Sequence, residues 1–565
     1  MKQFTFSMGG EAGYGIASTG FIFSKFAMRS GYHCYTYLEY PSLIRGGHNV
    51  FFTTFSKEKI SGPYKTIDFL VALNQETIDR HIENMSKGGL VIHDGALKLN
   101  LPTGKSLHYI DIQFMSLARG LGAILLRDVV ALGASIALLG GELKILDSII
   151  KEEFSKKGEA SVKANFEAAK AGFDYAKKHY SLAVKHILSP IKTSKKMIVN
   201  GNEAVAFGAL AGGMQFSAIY PMTPTSNILH VLAPLQEEHK FIYKQPEDEI
   251  SAINMAIGAS FAGARSMVAT SGGGFCLMTE AFGLAGMTET PIVIIEGMRG
   301  APATGLPTWT EQGDLRFILH AHQGEFPRII IAPGDAEEAF HLTMKAFNLA
   351  DKYQTPVVVL IDKLLCESFQ SFAPLDSSKF KIDQGKITYD VINNYQRYAL
   401  SPDGISLRAP AGSGNHVMGN SDEHDTYGYS TEESETKNAQ MKKRMTKLTA
   451  CARKELIEPK LYGPKNAELT VVGWGSTKGA VLEALKQLPN VNFLHLNWIS
   501  PFPTESIAKH LKKAKKIVNV ELNYSGQLGG LIAEKTGIKI TDNILKFDGR
   551  PFFPEELVAE FSKRL

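Results

Sequence analysis

Short, mainly apolar runs alternate with longer amphipathic stretches along most of the chain, and the alternation is most regular between about residues 191 and 365. There the runs 217–220, 265–270, 291–297, 328–332 and 356–362 read as strands, and the intervening 202–213, 249–263, 275–286 and 335–351 read as helices. Strands without polar alternation have apolar surroundings on both faces, which predicts a parallel sheet covered by helices on each side. Asp335 and Glu338 have the spacing of a capping box at the start of one of these helices. Sheets of this type bind ligands at the carboxyl ends of their strands.

Residues 1–190 open in the same manner. A strand-like run at 2–8 breaks into Gly9-Gly10-Glu11-Ala12-Gly13-Tyr14-Gly15 and then a helical stretch at 16–28. Further strands are expected at 69–73 and 90–92, and helices at 128–139 and 160–178. The glycine segment could present backbone amides to a phosphate, or could simply permit a tight strand-to-helix turn, and it departs from the dinucleotide GxGxxG pattern. Tyr40-Pro41-Ser42-Leu43-Ile44-Arg45-Gly46-Gly47-His48 is a second irregular segment, suited to holding an anion or to packing an interface. From 366 to 465 the periodicity lapses into turn-rich, polar sequence that reads as a linker and mobile loop. Strand-like runs resume at 469–473, 491–496 and 517–522, so that 466–565 forms a last domain. The expectation is a multi-domain α/β protein, as the length of 565 residues also requires.

Composition narrows the class. The formal charge is only +4, with 61 basic against 57 acidic residues, which leaves no electrostatic footprint for nucleic acid or an anionic membrane. Lys442-Lys443-Arg444, with Lys447 and Arg453, is expected to be a solvated helix face. The four cysteines, Cys34, Cys276, Cys366 and Cys451, contain no CxxC pair, which argues against a disulfide scaffold and against an iron–sulfur cluster carried by this chain. Each is expected to be a small buried hydrophobe. With no basic leader and no run of about 18 apolar residues, the expected location is a reducing cytoplasm.

Candidate chemistry gathers at the strand ends. In Tyr220-Pro221-Met222-Thr223-Pro224-Thr225-Ser226 the prolines restrict the backbone around Thr223, whose hydroxyl either meets a ligand or caps the next helix. Glu249 falls in the first turn of a helix, where the dipole favours a carboxylate, and small residues follow at Ala252, Ala256, Gly258 and Ala259. Thr270-Ser271-Gly272-Gly273-Gly274 is a turn with free amides, suited to a polar heterocycle or a carboxylate. Arg299 ends a strand beside small turn formers and could grip a carboxylate in bidentate fashion, or could form a salt bridge.

These motifs together resemble the 2-oxoacid:ferredoxin oxidoreductases, in the form of an alpha subunit with the gamma domain fused at its N-terminus. Residues 220–226 are similar to that family's YPITPSS segment. Residues 247–252 and 268–274 resemble its pyrimidine-binding segments, and 304–308, 324–328 and 40–49 are similar to further family motifs. The resemblance implies a Rossmann-like gamma domain at 1–190, a pyrimidine-binding thiamine diphosphate domain at 191–365, a linker and mobile loop at 366–465, and a transketolase C-terminal-like domain at 466–565. Glu249 would hydrogen-bond the aminopyrimidine ring, with Ser271 and Gly272 also contacting the cofactor. Thr223 and Arg299 would receive the substrate, with Tyr220 and Thr308 lining the pocket. Neither a GDG segment for a Mg2+-bound diphosphate nor a cysteine set for a cluster is present. A beta subunit would supply both Mg2+ and a [4Fe-4S] cluster in an (alpha-beta)2 heterotetramer, with coenzyme A as co-substrate and ferredoxin as electron acceptor. 2-Oxoglutarate is the expected substrate, with pyruvate as the alternative. A non-catalytic assembly subunit is the alternative of another class.

Overall fold

The N-terminal apolar run forms the strand Phe4–Glu11, which joins an eight-stranded sheet in the order His108–Asp111, Met85–His93, Ile67–Ala72, Phe4–Glu11, His48–Ser56, His33–Glu39, Gln370–Phe372, Met197–Val199. The first four are mutually parallel and the remaining pairings antiparallel. The computed structural model describes residues 3–42, 46–103, 106–183 and 185–565. This sheet belongs to one of two compact units, which comprises Met1–Val199, Ser368–Pro374 and Phe553–Glu555.

The helix Ile16–Arg29 buries Phe23 and Phe26 against the sheet, and the Phe6 and Phe23 rings stack with centroids 3.7 Å apart. Each such ring contributes about 1.5–3 kcal/mol by leaving water. Two expectations change here. Gly9 and Gly10 are part of the strand, where their lack of side chains admits Thr77 and Tyr14, so only residues 12–15 make the turn. His48 opens a strand and meets His81 at 2.9 Å between Nε2 atoms. Burial pushes the His48 imidazole down to about 4, so it is neutral and is no cation for an anion. Leu43, Ile44 and Arg45 of the same motif lie outside the described residues.

The second unit comprises Asn200–Glu367, Leu375–Phe552 and Glu556–Leu565. Its seven-stranded sheet runs Trp498–Ser500, Ile329–Ile331, Pro356–Asp362, Ile292–Met298, Ser266–Thr270, Phe216–Ala218, Ile242–Lys244. All pairings are parallel except that of Trp498–Ser500. The five-stranded sheet has Leu469–Trp474 and Val491–Leu496 near its centre. Apolar side chains from both sheets share one core, with Val268, Ile294 and Val358 in the same cluster as Val472, Leu494 and Leu496. Residues 200–367 and most of 466–565 therefore form a single body.

The stretch 366–465 departs most from expectation. It contains the strand Gln370–Phe372 and the 22-residue helix Ser434–Glu455. Lys442 and Arg453 on that helix are exposed as expected, whereas Lys443, Arg444 and Lys447 are buried, which overturns the solvated-face expectation for these three. The cause is opposite charge from distant sequence. Lys443 and Lys447 Nζ lie 2.6 and 2.5 Å from the Glu289 carboxylate, and Arg444 donates to both Glu423 oxygens. Irregular residues between are pinned in the same way, with Arg397 donating to the Gln354 side chain and the Glu289 carbonyl, and Arg408 paired with Asp351 at 2.9 Å. Cys34, Cys366 and Cys451 are buried as expected, whereas Cys276 is exposed because the helix Gly272–Met287 turns it outward. Among the described residues no helix is long and apolar enough to cross a membrane.

Candidate active site

Adjacent parallel strands deliver the candidate residues to one end of the seven-stranded sheet. Phe216–Ala218 leads into Tyr220 and the proline loop, Ser266–Thr270 into Ser271, and Ile292–Met298 into Arg299. The next strand outward, Ile242–Lys244, precedes the helix Glu249–Phe261, which begins on Glu249 itself. Asp248 caps this helix, its side chain accepting from the Ser251 amide at 2.7 Å, so the Glu249 carboxylate is released from capping.

Glu249 is buried, and its Oε1 has no hydrogen-bond partner. An unpaired buried polar atom costs free energy, and such an atom beside the strand ends marks a place for a ligand donor. Opposite it stands Gly274. A Cβ there would lie 2.7 Å from Glu249 Oε1 and would collide with the Thr270 hydroxyl, so only glycine leaves the carboxylate room. Ser271 is fully buried, and its Oγ also lacks a partner. The expected turn 270–274 is shorter than the sequence suggests. Ser271 is the N-cap residue and Gly272 the first residue of a helix, whose leading amides are the free ones. Two orphaned oxygens and a side-chain-free wall suit a polar ligand able to donate hydrogen bonds.

Thr223 and Arg299 are brought together. Arg299 Nη1 donates to the Thr223 carbonyl at 2.7 Å, while its Nη2 and Nε make no hydrogen bond among the described residues. One edge of the guanidinium thus remains for bidentate recognition of a carboxylate. Thr223 does not cap the following helix Ser226–Leu232. The adjoining Thr225 is its N-cap residue, and Asn202 Nδ2 secures the Pro224 carbonyl at 2.9 Å. Tyr220 and Thr308 are half-buried, and neither forms a hydrogen bond with Thr223 or Arg299 among the described residues.

Two carboxyl groups that the motif reading passed over stand behind Arg299. Glu296 is fully buried in the strand Ile292–Met298, and neither of its oxygens meets a nitrogen or hydroxyl donor. Asp314 faces it within hydrogen-bonding reach and occupies the space that a Cβ on Gly272 would need. Burial first, then Asp314 and Asp362, raise Glu296 well above the ordinary carboxylate range, and Asp314 is raised by burial against the opposing pull of Glu296 and Arg299. Glu296 therefore keeps a proton and donates it to Asp314. The signal was visible as an acid within the apolar run 291–298.

The pair has a consequence for stability. Above about pH 4.3 an unfolded glutamate loses its proton while folded Glu296 retains one, so the folded state binds more protons and stability falls with rising pH until the raised value is passed. Glu296→Gln keeps the shape and a donor for Asp314 but removes this titration. Its thermal midpoint is expected to decline less with pH than that of the parent protein, the remaining slope coming in part from Asp314 and Asp362, which are raised as well. Identical slopes in thermal melts across this range would show that Glu296 is already ionised.

Comparison with known proteins accords with this arrangement. Residues 207–443 match the family profile described as pyruvate flavodoxin/ferredoxin oxidoreductase, thiamine diP-bdg, residues 5–175 match pyruvate ferredoxin/flavodoxin oxidoreductase, and residues 467–557 match pyruvate:ferredoxin oxidoreductase core domain II. The 2-oxoacid:ferredoxin oxidoreductase subunit alpha of Saccharolobus solfataricus is 35% identical, with 98% of this chain and 96% of that protein covered. The 2-oxoglutarate synthase subunit KorA of Methanothermobacter marburgensis is 29% identical over 65% of this chain and 98% of its own length. The structure of the 2-oxoglutarate:ferredoxin oxidoreductase from Magnetococcus marinus, with 2-oxoglutarate, coenzyme A and succinyl-CoA bound, aligns with a TM-score of 0.92 at 30% identity over 100% of both chains. The chain belongs to the thiamine diphosphate-dependent 2-oxoacid:ferredoxin oxidoreductases, as an alpha subunit.

Proposed function

We propose that this chain is the alpha subunit, with its gamma region fused at the N-terminus, of an enzyme that converts 2-oxoglutarate and coenzyme A to succinyl-CoA and carbon dioxide with reduction of ferredoxin. The observation that carries the reading is the orphaned Glu249 carboxylate beside Gly274, at the same strand ends as an Arg299 whose second edge is open. The choice of 2-oxoglutarate is supported by the similarity to the 2-oxoglutarate:ferredoxin oxidoreductase of Magnetococcus marinus and to the 2-oxoglutarate synthase subunit of Methanothermobacter marburgensis. Pyruvate, which the family descriptions name, is the second reading.

Glu249 hydrogen-bonds a ring nitrogen of the aminopyrimidine and favours its imino form, with Ser271 and the leading amides of the Gly272 helix beside it. Arg299 receives the carboxylate next to the reacting carbon, and Thr223 offers its hydroxyl to the 2-oxo oxygen or to the same carboxylate, with Tyr220 and Thr308 lining the pocket. The chemistry that thiamine diphosphate supplies when bound is nucleophilic attack on the 2-oxo carbon and stabilisation of the charge left when carbon dioxide departs. The bond between the carboxylate and the 2-oxo carbon breaks, the acyl group passes to the coenzyme A thiol, and the electron pair leaves one electron at a time to ferredoxin. A beta subunit carries Mg2+ with the diphosphate-binding domain and the [4Fe-4S] cluster, in an (alpha-beta)2 heterotetramer in the cytoplasm.

The test is co-expression with the candidate beta subunit, followed by 2-oxoacid- and coenzyme A-dependent reduction of ferredoxin, with 2-oxoglutarate and pyruvate compared by kcat/KM. A preference for pyruvate would replace the substrate assignment. Within the same assay, Arg299→Lys retains charge but loses the planar fork, and the KM for the 2-oxoacid is expected to rise by about tenfold or more. An unchanged KM would remove Arg299 from the substrate site.

A further inference from the structure

Between Arg299 and the helix Leu315–His320 the chain has no other regular element, yet it is held firmly by residues that lie more than 150 positions later. Gln312 is fully buried and makes four hydrogen bonds, all to the C-terminal part of the same unit. Its Nε2 donates to the Trp474 carbonyl at 2.9 Å, and its Oε1 accepts from the Leu522 amide at 3.1 Å. Its own amide donates to the Leu522 carbonyl at 2.7 Å, and its carbonyl accepts from Asn523 Nδ2 at 3.1 Å. Neighbouring contacts point the same way. The Thr310 amide donates to the Gly549 carbonyl at 3.0 Å, the Arg550 guanidinium lies 3.8 Å over the Trp309 ring, and Gln527 Nε2 donates to the Gly313 carbonyl at 2.6 Å.

The anchored stretch reaches the site from two directions. The Trp309 carbonyl accepts from the Gly300 amide at 3.0 Å, directly after Arg299. Two residues beyond Gln312, Asp314 faces Glu296 and draws on the Arg299 charge. Arg299 is thus bracketed by a chain segment that the C-terminal region anchors through Trp309, Thr310, Gln312 and Gly313, in addition to the Thr310 hydroxyl's bonds to Asp362 and the Leu364 amide at the edge of its own sheet.

We propose that Gln312 is a positioning residue that locks the segment 299–314 onto the C-terminal region and so sets the geometry in which Arg299 meets the 2-oxoacid carboxylate. The inference rests on the reading of Arg299 as the carboxylate receiver. A fork that must align with a carboxylate loses affinity steeply when displaced, so slack in this anchor is read in the KM for the 2-oxoacid.

The test uses the complete enzyme with its beta subunit and the variants Gln312→Leu, Arg550→Gln and Arg299→Lys, with KM measured separately for 2-oxoacid and coenzyme A. Gln312→Leu is expected to raise the 2-oxoacid KM by about tenfold while the coenzyme A KM stays within about twofold. Arg550→Gln, which loses the clamp on Trp309 without opening the core, is expected to move the 2-oxoacid KM in the same direction by a smaller factor. This second variant carries the test if Gln312→Leu does not fold. A lowered thermal midpoint with both KM values unchanged, or with both raised in proportion, would overturn the proposal and leave Gln312 a structural residue only. If Arg299→Lys leaves the 2-oxoacid KM unchanged while Gln312→Leu raises it, the reading of Arg299 falls and not the role of the anchor.

Discussion

Glu249→Gln is expected to lower ferredoxin reduction by about 100- to 1,000-fold in the complete enzyme, the scale at which loss of one positioned acid, base or hydrogen-bond acceptor acts on turnover. The same substitution is expected to leave the thermal midpoint of the protein unchanged or raised. The two halves of this result have one origin. Glu249 is 4% exposed and its Oε1 is unpartnered, so the native protein bears the cost of a buried unsatisfied oxygen without a compensating bond. Asp248, and not Glu249, supplies the helix cap, so the helix Glu249–Phe261 retains its start in the variant. A group that weakens stability and sustains activity is the signature of a functional site. Steady-state turnover and thermal unfolding on the same preparations decide the matter. Preserved turnover would remove Glu249 from the cofactor site, and a large loss of stability would mean that its carboxylate is a structural element after all.

Glu289→Ala is expected to destabilise the second unit by about 3–5 kcal/mol, because it leaves buried cations without their counter-charge. Glu289 is fully buried at a positive φ of 49°, and burial alone would oppose its charge. Lys447, Lys443 and Arg397 together hold its carboxyl below the usual range, so it is ionised. Three stretches distant in sequence meet at this one residue: the helix Ser434–Glu455, whose Lys443 and Lys447 pair with its carboxylate, Arg397 of the irregular segment, which donates to its carbonyl, and the residue itself just past the end of the helix Gly272–Met287. Combining Glu289→Ala with Lys443→Met and Lys447→Met removes the orphaned charges as well, and much of the lost stability should return. Urea unfolding of the parent, single and triple variants measures this. If the triple variant is no more stable than Glu289→Ala, the cost comes from lost shape and not from uncompensated charge.

The chain's own sequence settled the elements whose information is local. The largely apolar runs 291–297 and 356–362, each with a single acid, call for a sheet covered on both faces, and the structure places them side by side and parallel, as Ile292–Met298 and Pro356–Asp362. The strand ends at 220, 270 and 299 are the ends of neighbouring strands, so the candidate residues gathered by motif fall at one edge. Periodicity and turn chemistry act over a few residues, and a reader of the chain has all of them in view.

Tertiary structure decided whatever depended on partners far away in the chain. Lys443, Arg444 and Lys447 look like a solvated face because their counter-charges, at Glu289 and Glu423, stand 154, 21 and 158 positions off. The proton between Glu296 and Asp314 exists only because folding carries two acids into one dry place. Gln312 has no local signature, since its four bonds reach Trp474, Leu522 and Asn523. Even Gly274 reads as a turn former until the Glu249 carboxylate and the Thr270 hydroxyl are seen to fill the volume of its missing side chain. Charge compensation, desolvation and close packing are properties of neighbours in space, and only the folded chain specifies who those neighbours are.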